Sequence, residues 1–343
     1  MFDITPQDPS LLEDGVRFKT ILVAGGAGMV GANLIQTLLA QGHRVICLDN
    51  LQTGTMANIN LFKSDPRYRF VRHDVVRPIK ISEPIDEIYD LACAASPPSY
   101  QKDPIHTFRT CIDGAMNLLT LAKAKGARVL LSSTSEVYGD PDVSLQSEDC
   151  RGRVNTCGPR ACYDDGKRAA ETLFWEFGAH QGVETRIARI FNSYGPRMHP
   201  DDGRVVSNFI MQALRGEDLT ICGDGTQTRS FCYVDDLVDG LIRLMASTQK
   251  MPVNLGNPGE FTMLELANEV IRKTGARSRL VFWPLPQDDP RHRRPDITRA
   301  AEVLGWAPKV PLDQGLDQTI AWFAAGMQAE KPRTQRKGIL VPS

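Results

Sequence analysis

Three glycines spaced by threes, Gly25, Gly28 and Gly31, stand between an apolar run at 21–24 and a helical pattern at 30–41. No other feature constrains the fold as strongly. A buried strand must end, turn sharply and open a helix within a few residues. Gly25 permits the tight turn. Gly28 lets a ligand approach the backbone, and Gly31 allows close helix packing. The first N–H groups of such a helix favour a phosphate at the turn.

The same rhythm continues along the chain. Short apolar runs at 21–24, 45–48, 69–71, 87–91, 129–131 and 186–190 alternate with helical patterns at 30–41, 104–125 and 162–181. Near-continuous apolar strands separated by helices imply a parallel sheet covered on both faces. The expected fold is α/β, a Rossmann-type doubly wound parallel sheet with a smaller mixed α/β C-terminal substrate lobe. After residue 191 the pattern changes to loops rich in Gly, Pro and Asp, with strand-like pieces at 219–222 and 253–255. Thr262 and Glu265 have capping-box spacing. The expected division is an N-terminal arm over 1–18 and a dinucleotide-binding domain over 19–190. A substrate lobe over 191–330 is partly interwoven with the first domain, and a disordered polar tail covers 331–343.

Composition narrows the function classes. The 343 residues carry a net charge of -1, which offers no global field for nucleic acid. No apolar run approaches the ~20 residues of a membrane span, and the acidic, polar start is no signal peptide. The eight cysteines form no CxxC pair and no zinc-like spacing, so no metal is expected. They read as free thiols in a reducing, cytoplasmic setting.

Asp49 ends the second apolar run, 18 positions past Gly31. A carboxylate there accepts from ribose hydroxyls and repels a 2′-phosphate, which favours NAD over NADP. Asp74, after the third run, is a candidate for the adenine amine or a loop cap. Met29, Val30, Asn50, Val75, Leu91 and Ala92 complete the expected cofactor lining.

Tyr163 and Lys167 lie at i and i+4 on a helical pattern and therefore face the same way. A free phenol has a pKa near 10, and a neighbouring ammonium together with the positive nicotinamide ring favours the phenolate. Together with a dinucleotide, the pair points to proton removal from an alcohol while a hydride goes to nicotinamide. Thr134 and Ser135 leave the fifth strand at a carboxyl edge, where ligands bind in doubly wound folds. Either can bond a substrate hydroxyl. Glu136 is a further acid–base candidate, or a loop cap.

Several longer segments carry a resemblance that spans about residues 20–325. They include Leu91-Ala92-Cys93 with Ala95-Ser96-Pro97-Pro98 and Tyr100-Gln101, then Gly158-Pro159-Arg160 through Tyr163 to Lys167. Arg189-Ile190-Phe191-Asn192 to Pro196-Arg197-Met198 and Arg293-Arg294-Pro295-Asp296-Ile297 belong to the same set. With these, the chain resembles the extended short-chain dehydrogenase/reductase family that acts on nucleotide sugars. Within that family it is similar to the UDP-glucuronate decarboxylase branch. Related sugar 4,6-dehydratases carry Asp-Glu after the threonine, whereas this chain has Ser135-Glu136, and a serine is no general acid at neutral pH.

The resemblance implies NAD-dependent oxidation at sugar C4, loss of carbon dioxide, and re-reduction to UDP-xylose. Tyr163, Lys167, Thr134, Ser135, Glu136 and Arg293 would be catalytic, with Glu136 protonating C5. Asn192, Arg204, Asn208 and Arg229 would surround the nucleotide diphosphate, while Tyr100 and Arg293 would hold the sugar carboxylate. A homodimer pairing the helices near 104–125 and 162–181 is also implied. The chain departs from the family pattern at Ala94 and at Asn155-Thr156-Cys157-Gly158, where a proline is common. The other readings are a UDP-glucuronate 4-epimerase, a 4,6-dehydratase, and a non-enzymatic nucleotide-binding protein on the same fold.

Overall fold

The computed structural model describes residues 18–140, 143–285 and 293–330. The tail expected over 331–343, and the arm expected over 1–18 apart from Phe18, lie outside the described residues. Six parallel strands build the central sheet: β1 (Thr20–Ala24), β2 (Arg44–Asp49), β3 (Tyr68–Arg72), β4 (Glu87–Asp90), β5 (Arg128–Thr134) and β6 (Thr185–Ile190). A seventh strand, Val253–Leu255, pairs with β6 and completes the order 253–255, β6, β5, β4, β1, β2, β3. The chain reverses its direction of growth between β1 and β4. Ligands bind in doubly wound sheets at the carboxyl ends of such strands.

Alternation along each strand explains the two covered faces. Ile21 and Val23 of β1, with Val45 and Cys47 of β2, enter one apolar cluster. Leu22 and Ala24, with Ile46 and Leu48, enter the other. The first face is covered by α1 (Met29–Ala40) and by helix Val234–Ala246, and the second by helices Ala115–Lys125 and Ala161–His180. At the edge, β3 exposes Arg69 and Arg72, charges that discourage a further strand from pairing there.

The helical pattern at 104–125 is helix Pro104–Arg109, a π-helical turn Thr110–Gly114 and helix Ala115–Lys125 in succession. Beyond β6, three two-stranded pairings form: Ser193–Tyr194 with Cys232–Tyr233, Thr228–Ser230 with Glu260–Thr262, and Leu219–Cys222 with Leu280–Trp283. Thr262 and Glu265 make the full capping box that opens helix Met263–Thr274.

Candidate active site

One long cleft runs over the carboxyl ends of β1, β4 and β5. Its first half is lined by Gly25, Gly28, Met29, Val30, Gly31, Asp49, Asn50, Val75, Leu91 and Ala92. The second half holds Thr134, Ser135, Glu136, Tyr163 and Lys167 with Tyr100, Asn192, Arg204, Asn208, Arg229 and Arg293. Val30, Leu91, Cys93, Ala95 and Arg204 border both halves.

The glycine turn has the geometry its spacing implies. Gly25 adopts φ 78°, and a Cβ there would meet the Leu91 carbonyl oxygen at 2.5 Å. A Cβ on Gly31 would strike the Gly25 oxygen at 2.3 Å. On Gly28 it would meet that oxygen only at 3.5 Å, so this position is open. Gly28 also caps α1 without any side-chain bond, and no acid occupies the first turn. The first N–H groups of α1 therefore face the cleft, as a pyrophosphate requires. Asp49 accepts from Ala27 N at 3.0 Å and from Leu51 N at 2.7 Å. Burial raises its pKa, and those two backbone bonds oppose the shift. The turn and the acid together fit a dinucleotide.

Asp74, expected as an adenine contact or a loop cap, makes bonds of the second kind. One oxygen accepts from Val76 N, and the other meets Asn50 Nδ2 at 3.2 Å and His106 Nε2 at 2.9 Å. Its side chain ties three segments together, and only its neighbours His73 and Val75 line the cleft.

Tyr163 and Lys167 share the inner face of helix Ala161–His180, and both are buried. Lys167 Nζ donates to the Ser132 carbonyl at 2.8 Å, which fixes the ammonium against β5. The Tyr163 ring stacks on Tyr100 with centroids 5.1 Å apart and planes 2° from parallel. The Tyr100 hydroxyl is buried and makes no hydrogen bond among the described residues. Burial pushes the Tyr163 phenol above its ordinary value, although the Lys167 charge and a bond with Thr134 pull it down. The Lys167 charge thus acts in the expected direction, against a larger effect of burial.

Thr134 ends β5 and accepts from Glu136 N at 3.2 Å, which starts the tight turn Ser135–Tyr138. That turn aims Glu136 into the cleft, where two guanidinium groups clamp it. Arg160 Nη2 lies 2.5 Å from Glu136 Oε2, and Arg293 Nη2 lies 2.8 Å from Oε1. Arg293 also donates to Asn192 Oδ1 at 3.2 Å. The Glu136 and Arg160 side chains are each 10% exposed, so solvent screens this ion pair weakly. Beneath it, Arg189 grips Glu171 through two bonds of 2.9 and 2.8 Å, and Ser133 donates to the same carboxylate.

Arg160 and Asp164 are site groups that sequence reasoning did not single out. Arg160 stands one turn before Tyr163, and that helical phase was the available signal. Asp164 lies 3.8 Å from Arg160 Nε. Burial and the nearby Glu136 raise its pKa to about 7, against the pull of Arg160 and Arg293. Arg204, by contrast, was expected and borders both halves, held by an ion pair with Asp202. The missing proline at 156–157 is offset locally, because Asn155 Oδ1 accepts from Cys157 N and its carbonyl from Gly158 N.

Comparison with known proteins places the chain among relatives. Residues 21–256 match the model of the NAD dependent epimerase/dehydratase family. The chain is 52% identical over 310 residues to UDP-glucuronic acid decarboxylase 1 of Danio rerio, covering 90% of this chain and 74% of that protein. It is 54% identical over 315 residues to UDP-glucuronic acid decarboxylase 5 of Arabidopsis thaliana, covering 91% and 92%. Among solved structures it superposes on a UDP-glucuronic acid 4-epimerase from Bacillus cereus, in complex with UDP-glucuronic acid and NAD. That match has a TM-score of 0.79 at 26% identity, covering 89% of this chain and 99% of the other. Glycine turn, paired Tyr163 and Lys167, and matched sequence lead to one assignment: the chain belongs to the NAD dependent epimerase/dehydratase family.

Proposed function

We propose that this chain converts UDP-glucuronate to UDP-xylose and carbon dioxide, with NAD used and restored in each cycle. The observation that carries the reading is the Glu136 carboxylate, clamped by Arg160 and Arg293 in the same half-cleft as Tyr163 and Lys167. Decarboxylases of that name at 52% and 54% identity support it.

The residues divide the work as follows. Gly25, Gly28, Met29, Val30, Gly31, Asp49, Asn50, Val75, Leu91 and Ala92 would hold the dinucleotide, with Asp74 bracing Asn50 from behind. When bound, NAD supplies a reversible hydride acceptor beside sugar C4. Tyr163 takes the proton of the 4-hydroxyl as C4 is oxidised, with Thr134 bonded to the phenol and Lys167 supplying positive charge. Once C4 is a ketone, the C5 carboxylate lies β to a carbonyl, and its electrons pass into an enolate as carbon dioxide leaves. C5 then takes a solvent proton, relayed through a water held by the Glu136 carboxylate, with Ser135 beside it. Arg293 and Tyr100 orient the departing carboxylate, and the Tyr100 hydroxyl, without a partner among the described residues, suits that role. Asn192, Arg204, Asn208 and Arg229 would surround the nucleotide diphosphate, since guanidinium groups bond two oxygens at once.

The chain would act as a homodimer in the cytoplasm. Ile105 (72% exposed), Phe108 and Met116 on the 104–125 stretch, and Trp175 (48% exposed) on the next helix, support pairing through these elements. The eight free thiols suit a reducing compartment. Among the described residues, no helix is long and apolar enough to cross a membrane.

Incubation with UDP-glucuronate and NAD, with products resolved by NMR, tests the reading. UDP-xylose is the expected product. UDP-galacturonate without carbon dioxide would establish the 4-epimerase reading, which the similarity to the Bacillus cereus enzyme keeps as the second choice.

A further inference from the structure

A pair of thiols lies behind the catalytic helix. Cys93 follows β4, is partly exposed, and borders both halves of the cleft. Cys111 is buried in the π-helical turn Thr110–Gly114. Their sulfurs are 3.5 Å apart. A π turn inserts a residue into an α-helix and shifts what faces inward, often at functional sites. Cys111 also packs against Gly166, where a Cβ would meet its Cβ and Sγ at 3.1 Å. Gly166 stands between Tyr163 and Lys167 on their helix.

We propose that Cys93 and Cys111 form a thiol modification site, a dithiol that hydroperoxides convert to a disulfide, and that this bond disables the adjoining Tyr163–Lys167 pair. The sulfur chemistry stands by itself; the catalytic consequence rests on the proposed decarboxylase reading.

The two residues have different parts. Cys93 is reachable from the cleft. The hydrogen bond shared with Cys111 draws its thiol below the usual range, burial opposes this, and the Lys167 ammonium assists. Its thiolate attacks one peroxide oxygen, the O–O bond breaks, and the released hydroxide takes a proton to become water. The resulting sulfenic acid is then attacked by the Cys111 sulfur. The S–O bond breaks, and its oxygen leaves with the Cys111 proton as a second water. Two thiols lose two electrons, and one hydrogen peroxide gains them.

Bond formation moves the cleft wall. A disulfide needs sulfurs about 2.05 Å apart, so they must approach by about 1.5 Å from the present 3.5 Å separation. Cys93 would carry the Leu91–Ala95 wall with it, or Cys111 would pull away from Gly166. Displacements of about 1 Å at a reacting centre can cost roughly a hundredfold in rate.

The full chain and a Cys111→Ala variant, both free of cofactor, are treated with hydrogen peroxide. Intact mass, peptide mapping, NAD binding and turnover of UDP-glucuronate are read before and after dithiothreitol. Cys111 borders neither half of the cleft, so the reduced variant keeps basal turnover. The wild type should lose about 2 Da, yield a linked 93–111 peptide and lose activity at least about tenfold. Dithiothreitol should restore it. The variant should form no link and instead carry oxygen on Cys93, with sulfinic acid that dithiothreitol does not reverse. Absence of the link, or a linked protein with full NAD binding and turnover, overturns the inference. A reduced protein inert toward UDP-glucuronate would sink the activity reading alone, because the link and NAD binding still decide this one.

Discussion

Asp164→Asn should change how the stability of the cofactor-free protein depends on pH. The carboxyl is buried, with its pKa raised from 3.8 to about 7 by burial and by Glu136 and Asp165, while Arg160 and Arg293 oppose the shift. Between about pH 4 and pH 7 the unfolded chain has released this proton and the folded chain retains it. The contribution of Asp164 to stability is therefore full below pH 4 and is lost as pH rises toward 7. At about 1.36 kcal/mol per pH unit, the whole span is worth roughly 4 kcal/mol, and the part between pH 5 and pH 8 roughly 3 kcal/mol. Asparagine does not titrate. Urea unfolding of both proteins at pH 5 and pH 8 should show the variant gaining on the wild type by that amount at the higher pH. A stability difference constant within about 0.5 kcal/mol would refute the reasoning.

Other substitutions separate the roles within the cleft. Gly31→Ala drives a Cβ to 2.3 Å from a backbone oxygen and should lower stability by about 1–3 kcal/mol or more, read by thermal unfolding. Gly28→Ala meets only an ordinary 3.5 Å contact, so it should fold normally but bind NAD more weakly in a fluorescence titration. Tyr163→Phe removes the phenol and should lower kcat by about 10²–10⁴ with melting unchanged; wild-type turnover would remove Tyr163 from the chemistry. Glu136→Gln should still oxidise C4 and release carbon dioxide yet slow protonation at C5, so that UDP-xylose appears more slowly than carbon dioxide, which a paired NMR and gas assay resolves.

The parallel sheet was legible because strands buried on both faces need continuous apolar runs, and 21–24 and 45–48 carry them. The glycine turn was legible because Gly25 and Gly31 tolerate no Cβ. The Arg160 clamp was not, since a lone arginine before a helix looks like a solvated charge until Glu136 is brought to it from β5. The Cys93–Cys111 contact was equally hidden, because it depends on a π turn that periodicity reads as plain helix. The Asp74–His106 contact was hidden too, because it joins residues more than thirty apart in sequence.

The most direct test of the account follows the sugar carboxyl group itself. UDP-glucuronate labelled at that carbon is incubated with the protein and NAD in heavy water. The account predicts labelled carbon dioxide equimolar with UDP-xylose, deuterium at C5 of the pentose, and no net NADH. A label that remains in a six-carbon uronate, with only C4 inverted, would contradict it.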